Sequence, residues 1–262
     1  MPASACQYTF FGTSASMGIP SIGCNCAVCT SCEKKNKRTR PAGLLEVANK
    51  KFLLDVGPDI RAQCLEHKLE DIDGLILTHT HYDHVAGIDE LRAISFRKKA
   101  PIPLLASQSS INDIKSKMSY LFEPKSHRAD IFSCQVIENN MQSVEFCGVN
   151  FSCIFYSQLG MPVVGYKVGD FAFVTDIKNH DKGIYESLKG VRTLVLSAID
   201  FTPTRAHISI DEAMDIAKKS NAERLILTHI GHELEHMSTT EKLPENVELA
   251  YDGMVVTFDP KA

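Results

Sequence analysis

Apolar and polar residues along this chain fall into two alternating kinds of run, one with a period of two and one at helical spacing. Residues 8–11 read as a first strand. Residues 43–48 and 52–56 alternate as two strands joined at Asn49-Lys50, and residues 163–168 and 171–175 form a hairpin through Gly169-Asp170. Further strands are predicted at 73–78, 102–106, 192–196 and 223–228, and an antiparallel meander over 132–156. Helices are predicted over 58–69, with Ile60, Cys64 and Leu65 on the buried side, over 85–96 from Val85, Ile88, Leu91 and Ile94, and over 109–122. Ser209 and Glu212 form a capping box that starts a helix running to about Lys219.

One run occurs twice. Leu75-Ile76-Leu77-Thr78-His79 and Leu225-Ile226-Leu227-Thr228-His229 have the same residue types, and each ends a buried strand in a histidine after a predicted helix. Two similar halves packed face to face would bring both histidines to one edge. No linker or low-complexity tract interrupts the pattern, so residues 1–262 read as one domain.

Composition narrows the function classes. The chain has 262 residues, 44% of them hydrophobic, and a net charge of −4. A near-neutral balance does not favour broad nucleic-acid binding, and the basic group Lys34, Lys35, Lys37, Arg38 and Arg40 reads as a solvated loop. Residues 1–7 are too short and polar for a signal peptide, and no apolar run approaches the roughly 20 residues of a membrane span. Nine cysteines in such a chain predict a cytoplasmic protein with reduced thiols, in which clustered cysteines are metal ligands rather than disulfides.

Two stretches carry that chemistry. Cys24, Cys26 and Cys29 follow a C-x-C-x2-C spacing in a loop at about residues 18–40, suited to zinc, with Cys32 or a distant histidine as the fourth ligand. The other stretch is His79-Thr80-His81-Tyr82-Asp83-His84, between a strand end and a helix start. His79 and His81 point the same way in an extended segment, while Asp83 and His84 follow as the chain turns, so one loop can serve two neighbouring ions. Imidazole and carboxylate suit zinc, manganese or iron(II), and two such ions about 3.5–4 Å apart can clamp a phosphodiester. Asp55, at a strand end, can bind metal, orient a ligand or cap the next turn. The small, hydroxyl-rich loop 12–18 can turn backbone N–H groups toward an anion or serve as a plain turn. His67, His127, His180 and His236 read as exposed, and Cys6, Cys64, Cys134, Cys147 and Cys153 as core or surface thiols.

The stretch from His79 to His84 resembles the signature of the metallo-β-lactamase superfamily. A finer resemblance, to the phosphoribosyl 1,2-cyclic phosphate phosphodiesterase branch, lies in Gly18-Ile19-Pro20, the three cysteines, Val174-Thr175-Asp176, His207 with Ile208-Ser209-Ile210-Asp211-Glu212-Ala213, Thr228-His229-Ile230-Gly231-His232 and Tyr251-Asp252-Gly253-Met254. It implies an α/β fold, an αββα four-layer sandwich with a small N-terminal Cys-rich zinc loop. It also implies a first metal on His79, His81 and Asp176, a second on Asp83, His84, His229 and the bridging Asp176, and a structural zinc on Cys24, Cys26, Cys29 and His232. Asp55 becomes an orienting residue, and His207 a general acid beside the catalytic Asp83. The implied protein is a metal-dependent phosphodiesterase with two active-site ions (zinc or manganese) and one structural zinc. Its partner is a small cyclic or nucleotide-like phosphodiester, with no membrane and room for a homodimer. The chain departs from the family at Gln158, where the resemblance calls for a third histidine on the first metal, and at Leu196-Ser197 in place of Leu-Asp. A tRNA 3′-processing type of nuclease and a catalytically weakened zinc-binding protein are the alternatives.

Overall fold

The computed structural model describes residues 6–122, 130–138 and 142–261; His127 lies outside them. Strands β1 (Cys6–Gly12), β2 (Ala42–Val47), β3 (Lys50–Val56), β4 (Gly74–Ile76), β5 (Ile102–Ser107) and β6 (Phe132–Ile137) belong to one sheet. Strands β7 (Ser143–Phe146), β8 (Val149–Gln158), β9 (Met161–Val168), β10 (Phe171–Val174), β11 (Thr193–Ser197), β12 (Arg224–Thr228) and β13 (Val247–Leu249) form the other. The last strand, β14 (Val255–Phe258), returns to pair with β1. The sheets run β14-β1-β2-β3-β4-β5-β6 and β13-β12-β11-β10-β9-β8-β7. In each sheet four neighbouring strands are parallel: β3 to β6 and β10 to β13.

Period-two alternation sorts side chains into layers. Ile76 and Ile226, at the centres of the repeated run, face each other's sheet in a shared core with Phe52, Phe151 and Phe173. Leu75 and Leu77 turn outward onto helices α1 (Ile60–Glu66), α2 (Tyr82–Val85), α3 (Arg92–Lys98) and α4 (Gln108–Lys117). Leu225 and Leu227 turn outward onto α5 (Gly183–Ser187) and α6 (Ile210–Lys219). The result is the expected αββα sandwich. A final short helix, α7 (His236–Thr240), lies beyond His232.

Two sequence expectations are corrected. The helix predicted over 85–96 is broken: α2 ends at Val85, a 3₁₀ turn spans Ile88–Leu91, and α3 starts at Arg92. Gly87 causes the break by lying against β3. Its N–H donates to Val56 O at 2.9 Å, and a Cβ there would come within 2.3 Å of Gly57 O. The meander over 132–156 is divided between sheets, because β6 pairs parallel to β5 while β7 and β8 pair antiparallel in the other sheet. Alternation reports which faces are buried, not which strand lies alongside.

Candidate metal centre

The residues of the site sit where the parallel strands end. Asp55 lies near the end of β3, His79 just past β4, Asp176 just past β10 and His229 immediately after β12. Asp55, Asp176 and His229 all adopt left-handed backbone, with φ of 57°, 55° and 57°. Such conformations are strained for residues other than glycine and persist where surrounding contacts impose them. Such contacts hold the chain next to Asp176 and ahead of His79. Tyr166 donates its hydroxyl to Leu77 O and Tyr156 to Thr175 O, each at 2.7 Å, and Val164 N donates to Thr78 O at 3.0 Å. The backbone ahead of His79 and Asp176 is thereby clamped by β8 and β9. Gly57 makes room for the histidine loop, since a Cβ there would meet Asp83 O at 2.3 Å.

Within this frame the side chains converge. His79 Nε2 lies 2.9 Å from His81 Nδ1. His84 Nε2 lies 3.0 Å from Asp176 Oδ2 and 3.5 Å from Asp83 Oδ2. His229 Nε2 lies 3.2 Å from Asp83 Oδ2 and 3.4 Å from Asp176 Oδ1. His207 Nδ1 is 3.5 Å from Asp176 Oδ1, and its ring is tilted beside that of His229 at 4.9 Å. Metal-sized groupings include His79, His84 and Asp176; Asp83, His84 and His229; and Asp176, His207 and His229. His81 joins through His79.

Asp55 stands behind the cluster. Its Oδ1 accepts from Thr78 N, and its Oδ2 from Thr78 Oγ1, both at 2.8 Å. Oδ2 also accepts from His84 Nδ1 at 2.7 Å, so the other nitrogen, Nε2, faces the cluster. The geometry realises the orienting role among the three open to Asp55. We expect Asp55→Asn, which tolerates the left-handed backbone, to weaken metal binding about 10–100-fold. Metal titration of the purified variant measures this, and unchanged affinity would refute it.

Electrostatics favour a cation here. Burial opposes charge on His84, but the carboxylates of Asp55 and Asp176 outweigh it and hold the imidazole well above its ordinary pKa. Burial and the neighbouring His84 pull His79 well below the usual value. Burial would raise Asp176, yet His229 and His84 keep it well below the carboxylate range. His84 Nε2 is buried and aligned with no hydrogen-bond partner, although Asp176 is close. The positive charge the carboxylates call for is what a divalent ion would supply, and the imidazole-carboxylate donor set fits a borderline or hard ion.

A second cluster lies nearby. Cys24, Cys26 and Cys29 approach His232 Nδ1 with their Sγ atoms at 3.4, 3.4 and 3.6 Å. Tetrahedral zinc with ordinary Zn–S and Zn–N bonds gives a sulfur-to-nitrogen edge of about 3.6 Å, so these residues fit the ion. The Cys29 amide and His232 lower the Cys26 thiol to about 6. Cys32 is exposed and outside the group, which leaves His232 as the fourth member.

Other sequence readings change. His236 is buried, because the interior guanidinium of Arg38 takes its Nδ1 as a partner at 3.1 Å; burial and Arg38 lower its pKa to about 4. Arg38 is 1% exposed and Arg40 pairs with Asp59 at 2.6 Å, so the basic group is not one solvated patch. His67 stacks on Phe11 with ring centroids 4.2 Å apart. His180 is exposed against Tyr185 and outside the metal groupings. Sequence reasoning missed Thr78, Thr175, Tyr156 and Tyr166, whose role is hydrogen bonding to strand-end backbone and carboxylates. The Thr-His and Thr-Asp pairs at strand ends were the available signal.

The comparisons agree with this geometry. The β-lactamase superfamily domain profile matches residues 50–230. A solved diphosphatase of the PhnP family is 31% identical, with a TM-score of 0.89 and 97% of each chain covered. An octanoyltransferase of Porphyromonas gingivalis is 31% identical over 255 residues, 95% of this chain; the chain spans about half of that protein's length, 51%. A ribonuclease Z of Methanopyrus kandleri is 22% identical, covering 84% of this chain and 91% of its own. With these matches, the four-layer sandwich and the convergent His and Asp side chains, the chain belongs to the β-lactamase superfamily.

Proposed function

We propose that the chain is a phosphodiesterase acting on a small cyclic or nucleotide-like phosphodiester. The observation that carries the reading is the cluster of buried His79, Asp83, His84, Asp176 and His229, with the half-buried His81 beside His79 and the half-buried His207 at its rim. The likeness to a PhnP-family diphosphatase over 97% of both chains supports it. Divalent ions held there supply Lewis acidity toward a phosphoryl group and acidify water. In this reading His79, His81 and Asp176 hold one ion, and Asp83, His84, His229 and Asp176 the other, either zinc or manganese. Cys24, Cys26, Cys29 and His232 hold a structural zinc. Asp55 keeps the His84 lone pair on the cluster, and His207 gives a proton to the leaving oxygen. We also place the protein in the cytoplasm, where its nine unpaired thiols stay reduced. No described helix is long and apolar enough to cross a membrane.

A panel of small phosphodiesters, assayed alongside elemental analysis, tests the reading. Three ions per chain and turnover of a small diester are expected. His207→Ala should keep the wild-type metal content while slowing turnover about 100-fold or more. A His207→Ala enzyme of wild-type rate removes the acid role. Cleavage of precursor tRNA with no action on small diesters would instead favour a nuclease, which the ribonuclease Z relative supports. The net charge of −4 and the interior position of Arg38 weigh against it. Zinc at one per chain without hydrolysis would favour a binding protein.

A further inference from the structure

Gln158 ends β8, is 2% exposed, and lodges its amide against the site. Its Nε2 donates to Asp176 Oδ1 at 2.8 Å and lies 3.3 Å from His207 Nδ1, while its Oε1 is buried without a partner. A carboxylate oxygen only accepts, so Asp176 takes the amide by its nitrogen and leaves the carbonyl oxygen unpaired. A divalent ion held by Asp176 reverses that demand. It repels the amide hydrogens and attracts a lone pair, and a half-turn of the amide exchanges nitrogen for oxygen in nearly the same volume. The groups around the two ions are also unequal. His84 and His229 have both Asp83 and Asp176 beside them, at 3.0–3.5 Å. Among the described residues, the metal-sized grouping that contains His79 holds a single carboxylate, Asp176, which the other ion shares. A glutamine there adds only a neutral oxygen, and zinc prefers an imidazole nitrogen to a carbonyl oxygen.

We propose that Gln158 is an amide ligand, through Oε1, of the ion held by His79, His81 and Asp176, and that this weak donor makes it the exchangeable ion of the pair. The inference rests on the two-ion reading above. The ion on Asp83, His84, His229 and Asp176 is then the resident one, and its neighbour is taken up from solution and lost to it.

Dialysis of the zinc-loaded protein against rising concentrations of a chelator, with the bound zinc counted by elemental analysis, tests this. One zinc per chain should leave at a chelator concentration about 10-fold or more below that needed for the rest. Gln158→His, which supplies an imidazole, should raise that first step about 10-fold or more. Gln158→Leu, of similar size but with no lone pair, should lower it further. Side-chain amide NMR gives a second readout on the same samples. The Gln158 amide signal should change as the first zinc leaves, because its hydrogens return to Asp176, and should stay constant as the others leave. Zinc ions that leave the wild-type protein together overturn the proposal. A first zinc whose departure leaves the amide signal unmoved does the same, as does a first step that neither substitution shifts. The wild-type curve and spectrum decide by themselves, so a variant that fails to fold leaves the test intact. An amide signal that follows the first zinc in a protein that cleaves no phosphodiester supports the ligand role and removes the activity reading. Diester turnover with ions that leave together removes the ligand role alone.

Discussion

Asp176→Asn is expected to lower hydrolysis by more than about 10³-fold and to strip metal from the active site while leaving the protein folded. Asp176 is the point where the cluster meets. One carboxylate oxygen faces His84, and the other faces His229, His207 and Gln158. Asparagine has the same size and tolerates the left-handed backbone at this position, so the change removes charge and little else. The loss is greater than for Asp55→Asn, because Asp55 acts through His84 whereas Asp176 touches every half of the site. Elemental analysis and a diesterase assay on one preparation measure both effects. A variant with full metal content and wild-type turnover would remove Asp176 from the centre.

Cys26→Ser is expected to lose one zinc per chain and to lower the melting temperature by about 10 °C, as expected for loss of a structural metal. The loop it serves has almost no core of its own: Ile19, Val28 and Cys29 are its buried apolar cluster. An apolar contact set that small contributes little toward ordering some twenty residues, so an ion held by the three cysteines and His232 would add a cross-link that the core does not supply. Serine keeps the shape of cysteine but offers no thiolate. Cys32→Ser, at an exposed thiol outside the cluster, should change neither zinc content nor melting. Equal effects of the two substitutions would refute the site. Activity should fall as well, because the segment leading into the loop is tied to the end of β12: Ala15 N donates to Ile230 O, and Ile230 N to Thr13 O, both at 2.9 Å and next to His229. The pH dependence has a definite sign. The Cys26 thiol is depressed to about 6, so its thiolate persists above that value and is lost as pH falls through it. Zinc retention should therefore weaken on acidification, not on alkalinisation.

Much of the metal centre is legible in the sequence because its ligands are close together along the chain. His79, His81, Asp83 and His84 fall within six residues, and three cysteines fall within another six. The remaining members, Asp176, His207, His229 and His232, stand out through resemblance, and the structure brings each beside its expected neighbours. The lone histidines were harder. His236 sits in a polar stretch that reads as exposed, and only its contact with the buried Arg38, 198 residues away, reveals why it is interior. Gln158 was visible as an imidazole too few, but its amide hydrogen bonds depend on partners 18 and 49 residues further along the chain.

By itself the sequence determined the layers and the chemistry. Period-two alternation places Ile76 and Ile226 between the sheets and their leucine neighbours beneath the helices, and it works because a strand's side chains have only two directions to take. Ligand spacing in the two clusters is equally local. Only the tertiary structure decided which strand lies beside which, where the helix after the histidine loop breaks, and how Gln158 shares its amide between Asp176 and His207. Each of those outcomes depends on atoms far apart in the chain: Gly87 against Val56 and Gly57, β6 against β5, and a glutamine at one strand end held by a carboxylate at another. Local propensity cannot encode such contacts, because the free energy that selects them exists only once both sheets have packed.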